Sequence, residues 1–236
     1  ENHLRELAEA EWWTAQLTQH QYNLPAAKIH SSRALELARQ LEMPELVASA
    51  QNSLGYACLL TGEFSAAILQ MEQAQNYYVE TGNRALEADC LTAVGGALVF
   101  QGRAREAIGL IGQARAICEE IENPWGILFS NGWLAAGLLE NGRFAEALTN
   151  CLAAVPFAQK LVPTPVSIWN DLWTGKAYRA LRQVDQALSA HLAAAKRNEA
   201  HPLPAFAEYI AVELTNYYLL LDQMPEAEYW AKEAVR

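Results

Sequence analysis

Lys176 and Arg179 stand three residues apart, one helical turn, close enough to offer two cations to one acidic group. Aromatic residues recur near them at spacings of forty or of four: Phe129, Trp133, Trp169, Trp173 and Tyr209. Very small residues, Gly96, Gly132 and Ala136, hold neighbouring positions of the same pattern. Small residues beside aromatic walls would make a mostly apolar pocket of the kind ligands prefer. Glycine within a helix is about 1 kcal/mol less favourable than alanine, so several together ask for a reason. A plainer reading stands beside this one. Trp133 and Trp173 could pack between adjacent helices, and Lys176 and Arg179 could form a solvated face. Gly95, Gly96, Gly109 and Gly112 could serve close helix approach.

Catalytic arrangements are absent. The chain holds no GxSxG, HExxH, GxxxxGK or GxGxxG pattern. Its five histidines, His3, His20, His30, His191 and His201, are scattered. His20 and His30 fall on different expected helices and lack metal-ligand spacing. Glu119 and Glu120 are adjacent and so point to different faces of a helix, unlike a working acid and base. Four cysteines, Cys58, Cys90, Cys118 and Cys151, form no CxxC and read as small buried hydrophobes. The residues thus point to a protein that is not an enzyme, with no metal and no cofactor.

Charge narrows the partners. Lys and Arg number 17 against 27 Asp and Glu, a net charge of −10, without a basic stripe or tail. Direct nucleic-acid binding needs clustered cations and is not expected. Apolar runs such as 93–100 fall far short of the roughly 20 residues that span a bilayer, so no membrane role is expected and a cytoplasmic location fits. Glu1 and Arg236 both lie within helical patterns, which suggests a domain excised from a larger protein.

The elements that must position these residues follow a period of forty. Ala27, Ala67, Ala107, Ala147, Ala187 and Ala227 form one column without a gap, and Ala34, Ala74, Ala114, Ala154, Ala194 and Ala234 form another. Seven residues is two helical turns, so both columns share a helix face where a methyl group lets a partner helix come close. Each unit reads as two helices: in the second unit, 45–60 and 64–81, each with an apolar stripe at helical spacing. Gly62, Gly102 and Gly142 mark the turn between them, where a left-handed residue ends the first helix. Arg182 and Asp222 replace glycine there, predicting a different turn or modest strain. Pro44, Gly82, Pro124, Pro163 with Pro165, and Pro202 with Pro204 mark the junctions between units. A further column of small residues, Ala15, Gly55, Gly95, Ala135 and Gly175, is broken only by Thr215.

The constellation Leu54-Gly55, Gly62-Glu63-Phe64, Ala67, Ala74, repeated as Gly95, Gly102, Ala107, Ala114, resembles the tetratricopeptide repeat over essentially the whole chain. The family's early tryptophan position instead holds Glu11, Gln51, Leu91, Asn131, Asp171 and Ala211, and forty exceeds the common thirty-four-residue period. The longer repeat resembles the sensor domains of MalT-like bacterial transcription regulators and signalling ATPases. The resemblance implies an all-α, right-handed solenoid of six hairpins in a single domain, at 4–43, 44–83, 84–123, 124–163, 164–203 and 204–236. It also implies a concave groove lined by the first helix of each hairpin. Carried onto this chain, the groove positions give Tyr56, Asp89, Phe100, Phe129, Trp133, Trp169, Trp173, Lys176, Arg179 and Tyr209 as candidate site residues. The basic clamp used by chaperone-tail binders is not present. The expected function is recognition of a peptide, protein or small effector in that groove, as the sensor arm of a larger signalling or transcription-regulating protein. The alternative is a scaffold or self-association module that pairs through exposed end helices such as the one bearing Tyr229 and Trp230.

Overall fold

Helix for seventeen residues, turn for three: this rule generates nearly all of the computed structural model, which describes residues 2–160, 165–200 and 202–235. The helices are α1 (Asn2–His20), α2 (Leu24–Gln40), α3 (Pro44–Leu60), α4 (Phe64–Glu80), α5 (Arg84–Phe100) and α6 (Ala104–Glu120). They continue as α7 (Pro124–Glu140), α8 (Phe144–Lys160), α9 (Pro165–Ala180), α10 (Val184–Ala200), α11 (Pro204–Leu220) and α12 (Met224–Glu233). Every described element is a helix, and two helices with their turns account for the period of forty.

The turns share one hydrogen-bond scheme. After α3, the Glu63 N–H donates to the Cys58 carbonyl at 2.8 Å and the Gly62 N–H donates to Leu59 at 3.3 Å, satisfying carbonyls the helix end would leave open. Gly62 sits at φ +82°, a left-handed conformation that glycine adopts without a Cβ penalty. The same scheme closes α9 and α11 with Arg182 at φ +62° and Asp222 at φ +55°. Of the two outcomes expected there, the turn is retained and the side chains bear the strain. Glu42 and Glu122, at φ +52° each, do likewise between units. Beyond each turn the next helix begins readily. Pro44, Pro124, Pro165 and Pro204 are first residues, where a missing N–H does no harm. The Asn23, Asn83 and Asn123 side chains accept from the N–H three residues on. Pro163, read as part of a junction, lies outside the described residues.

Two compact units result, Glu1–Gly126 and Ile127–Arg236. In the first, α1 with α2, α3 with α4 and α5 with α6 pack as hairpins; α2 on α3 and α4 on α5 join them. There the first helices α1, α3 and α5 also meet in sequence. In the second, α9 pairs with α10 and α11 with α12, while α8 packs on α9 and α10 on α11.

Both alanine columns are core. Ala27, Ala67, Ala107, Ala147, Ala187 and Ala227 are buried, as are Ala34, Ala74, Ala114, Ala154 and Ala194; Ala234, in the last turn, is partly exposed. The column beginning at Ala15 obeys a size rule with the residue sixteen later. A methyl group on Gly55 would lie 2.8 Å from Met71, on Gly95 2.3 Å from Ile111, and on Gly175 2.0 Å from His191. Where the residue sixteen later is small, as at Ser31 and Cys151, the column holds Ala15 and Ala135. Glycine therefore appears where the facing side chain is large. Gly109 and Gly112 differ: an added methyl at either meets nothing within 4 Å, so close approach does not explain them. All four cysteines are buried and unbridged.

Candidate functional site

In the second unit, α9 carries Trp169, Trp173 and Lys176 at spacings of four and three, one face of a helix. The two indoles stack at 5.4 Å between centroids, with an interplanar angle of 14°. Trp169 also meets Phe206 edge-on at 5.1 Å and Tyr209 at 6.2 Å, both from α11. The Lys176 ammonium lies 4.9 Å from the Trp173 centroid and 5.0 Å from that of Tyr209, a cation held over two π faces. Burial lowers its pKa, and the Arg179 charge lowers it further, against the opposing pull of Glu213 and Glu140. No carboxylate among the described residues forms an ion pair with it.

Arg179 is differently placed. Its guanidinium donates to Glu213 at 2.9 Å, and the Tyr209 hydroxyl donates to the other oxygen of that carboxylate at 3.2 Å. Arg179 is thus already matched, and Lys176 is the cation with charge to offer. An open cleft of about 250 Å³ adjoins them, lined by Leu139, Glu140, Phe144, Trp173, Lys176, Arg179 and Ala180. Phe129 and Trp133 are half-buried on α7, where a methyl added to Gly132 would touch Trp173 at 3.9 Å. Trp169, Trp173, Lys176, Arg179 and Tyr209 are therefore brought together. The small residues expected as a pocket floor, Gly96, Gly132 and Ala136, are buried.

In the first unit, the Tyr56 hydroxyl donates to Asp89 at 2.8 Å and the Asn52 amide donates to the other carboxylate oxygen at 3.2 Å. Burial pushes the Asp89 carboxyl up to about 6, against these two hydrogen bonds, which hold it down. Burial, with the Asp89 charge beside it, also raises the Tyr56 phenol. Phe100 stands apart at the C-terminal end of α5, where its ring stacks on Phe64 at 5.2 Å. A shallow cavity of about 630 Å³ between α2, α3 and α4, bordered by Met43, Val47 and Tyr77, had no counterpart in the sequence reading. Among the described residues no group of three or more His, Cys, Asp and Glu could hold a metal ion, and no helix is long and apolar enough to cross a membrane.

Glu213, Asn52 and Phe206 complete these clusters without having been singled out. Glu213 left a trace as an acid in a column whose other members are Trp13, Ser53, Ala93, Trp133 and Trp173, and Asn52 stands in the column of Trp12, Thr92, Gly132, Leu172 and Val212. Phe206 has no distinguishing spacing.

No protein-family model and no curated protein matches the chain. Solved structures do. A Rap protein complexed with Competence and Sporulation Factor superposes with a TM-score of 0.75 at 13% identity, covering 95% of this chain and 72% of that one. The apo form of RapI gives 0.72 at 14% identity, covering 98% and 82%. BtubC (BKLC) from P. vanneervenii gives 0.70 at 19% identity, covering 90% of each chain. Kinesin light chain TPR-like repeats of Podosopora anserina give 0.60 at 20%, covering 83% and 96%. At such identities the likeness is one of fold. The chain is thus TPR-like: an all-helical array of the tetratricopeptide-repeat kind.

Proposed function

We propose that this chain is a non-catalytic recognition domain that binds a protein or peptide across the faces of its first helices. The observation that carries this reading is the α9–α11 patch. Two partly buried aromatic rings, Trp173 and Tyr209, flank an ammonium with no carboxylate partner among the described residues; Trp169 stacks on Trp173, and an open cleft adjoins them. Partly buried tryptophan and tyrosine supply much of the affinity at protein interfaces. Support also comes from a neighbour of the same fold, the Rap protein, which is seen in complex with a factor. On this reading the domain is the sensor or interaction arm of a larger bacterial signalling or transcription-regulating protein. Binding then biases an attached domain only if the partner prefers one of two conformations.

The test is selection of peptides from a randomised library on the native chain, followed by affinity measurements on Trp173→Ala and Lys176→Glu. Both variants should keep their helical circular dichroism and lose binding at least tenfold. Undiminished affinity in Trp173→Ala would place the ring in the core and remove the reading.

Self-association is a second reading, favoured by exposed apolar side chains at the end of α11 and on α12: Leu220, Met224 and Tyr229. Sedimentation equilibrium decides it, since a dimer through this face should dissociate in Tyr229→Lys.

A further inference from the structure

Asp89 is the exception in the most buried helix of the first unit. From Glu87 to Val99 every residue of α5 is buried except Asp89, which keeps some exposed surface. The two groups that hold its carboxylate, the Tyr56 hydroxyl and the Asn52 amide, carry no charge. The ionisable groups that feel its charge are Tyr56 on α3, Tyr78 on α4, Cys90 on α5 itself and Cys118 on α6. Burial raises all four, so each is neutral at pH 7. No ion pair among the described residues includes Asp89. A carboxylate withdrawn from water is ordinarily matched by a cation. Here the polypeptide provides the hydrogen bonds that orient the group and leaves out the countercharge.

The surroundings show what would supply it. Asn52, Ser53 and Tyr56 lie within one turn of α3, and the buried Ser53 ties that turn to α1 beneath the surface. Its hydroxyl accepts from Gln16 at 2.6 Å and from the Trp12 indole at 3.2 Å. Trp13 lies against Trp12 at 4.5 Å and is 63% exposed, high for so large an apolar residue. A strip of accessible surface on Trp13, Tyr56 and Asp89 therefore follows α1, α3 and α5 in order, with the Asn52 amide and Ser53 hydroxyl beneath it. Such a strip suits an extended segment with alkyl surface and one positive charge. The net charge of −10 favours the approach of a basic partner.

We propose that Asp89 anchors an arginine or lysine side chain of a peptide partner laid across α1, α3 and α5, with Trp13 covering the neighbouring apolar part of that peptide. This subsite belongs to the first unit and rests on none of the residues that carry the α9–α11 reading. The two can therefore fail separately.

The test uses nonapeptide libraries with acetylated and amidated ends, randomised at eight positions without His, Asp, Glu, Lys or Arg. The fixed central residue is arginine, lysine, citrulline or norleucine. Retention on the full chain is measured at pH 7.5. The arginine and lysine pools should bind at least tenfold more tightly than the citrulline and norleucine pools, and Asp89→Asn should abolish the preference. Lowering the pH to 5.0 should erode it in the native chain without any substitution, since the carboxyl then takes up its proton. Trp173→Ala should leave it intact; if that variant loses binding of α9–α11 ligands but keeps this preference, the two sites are distinct. Equal retention of the arginine and citrulline pools, absence of retention of any pool, or a preference that survives in Asp89→Asn would overturn the proposal.

Discussion

Gly95 and Gly109 are the same residue in neighbouring helices, and their surroundings separate them. A methyl on Gly95 would stand 2.3 Å from Ile111, far inside contact distance, whereas one on Gly109 meets nothing within 4 Å. Gly95→Ala should therefore destabilise the protein by about 1–3 kcal/mol through overpacking. Gly109→Ala should stabilise it by about 0.5–1 kcal/mol, because alanine loses less chain entropy in a helix. Urea midpoints measure both, and a shift of the same sign in the two variants would contradict the size rule. Asp89 offers a titration. Its carboxyl is raised from 3.8 to about 6 by burial, so the folded state disfavours the charged form. The resulting penalty is fully present above pH 6 and fades as the pH falls toward 4. Relative to Asp89→Asn, the native chain should gain on the order of 2 kcal/mol between pH 7 and pH 4. A pH-independent difference between the two proteins would show that the group is solvated.

Turns are the element whose sequence and geometry diverge most. Gly62, Gly102 and Gly142 announce a left-handed residue, and Asp222 tolerates one, but Tyr22, Glu42, Glu122 and Arg182 adopt positive φ with nothing in their side chains to suggest it. What imposes that conformation is the spacing. Seventeen helical residues are followed by three, and the next apolar stripe must return along the first. A non-glycine residue held in the left-handed region carries about 1 kcal/mol of strain. Arg182→Gly should therefore raise the melting temperature by about 2–4 °C, as expected for a chain of this size. Scanning calorimetry checks it, and an unchanged or lowered melting temperature would mean that Arg182 stabilises the turn in some other way.

Within each of the units Glu1–Gly126 and Ile127–Arg236, helices contact their neighbours in sequence. Stability in such arrays is a sum of local terms and nearest-neighbour interfaces. In Gly95→Ala, hydrogen exchange should accelerate in α3–α6 while α9–α12 keep their native protection. Equal loss throughout would reveal a single cooperative block. Much of this architecture was legible beforehand. The alanine columns, the helix pairs and the glycine turns all appear in the structure as read, since each is a contact at a fixed short offset. The candidate site was legible in outline. The grouping of Trp169, Trp173, Lys176 and Tyr209 follows from the same register, whereas Phe100 was carried along by it and stacks on Phe64 at the helix end.

By itself, the sequence determined whatever depends on helix period: which faces pair, where the chain reverses, and where small residues recur. Such contacts recur at constant offsets, so they are written as columns. Only the tertiary structure decided which charges are matched. Arg179 reaches Glu213 across 34 residues, while Asp89 finds two neutral donors and no cation. It also decided that Gly95 is crowded and Gly109 open. Side-chain reach and charge pairing do not recur at constant offsets, and they distinguish a packed residue from one with something to bind.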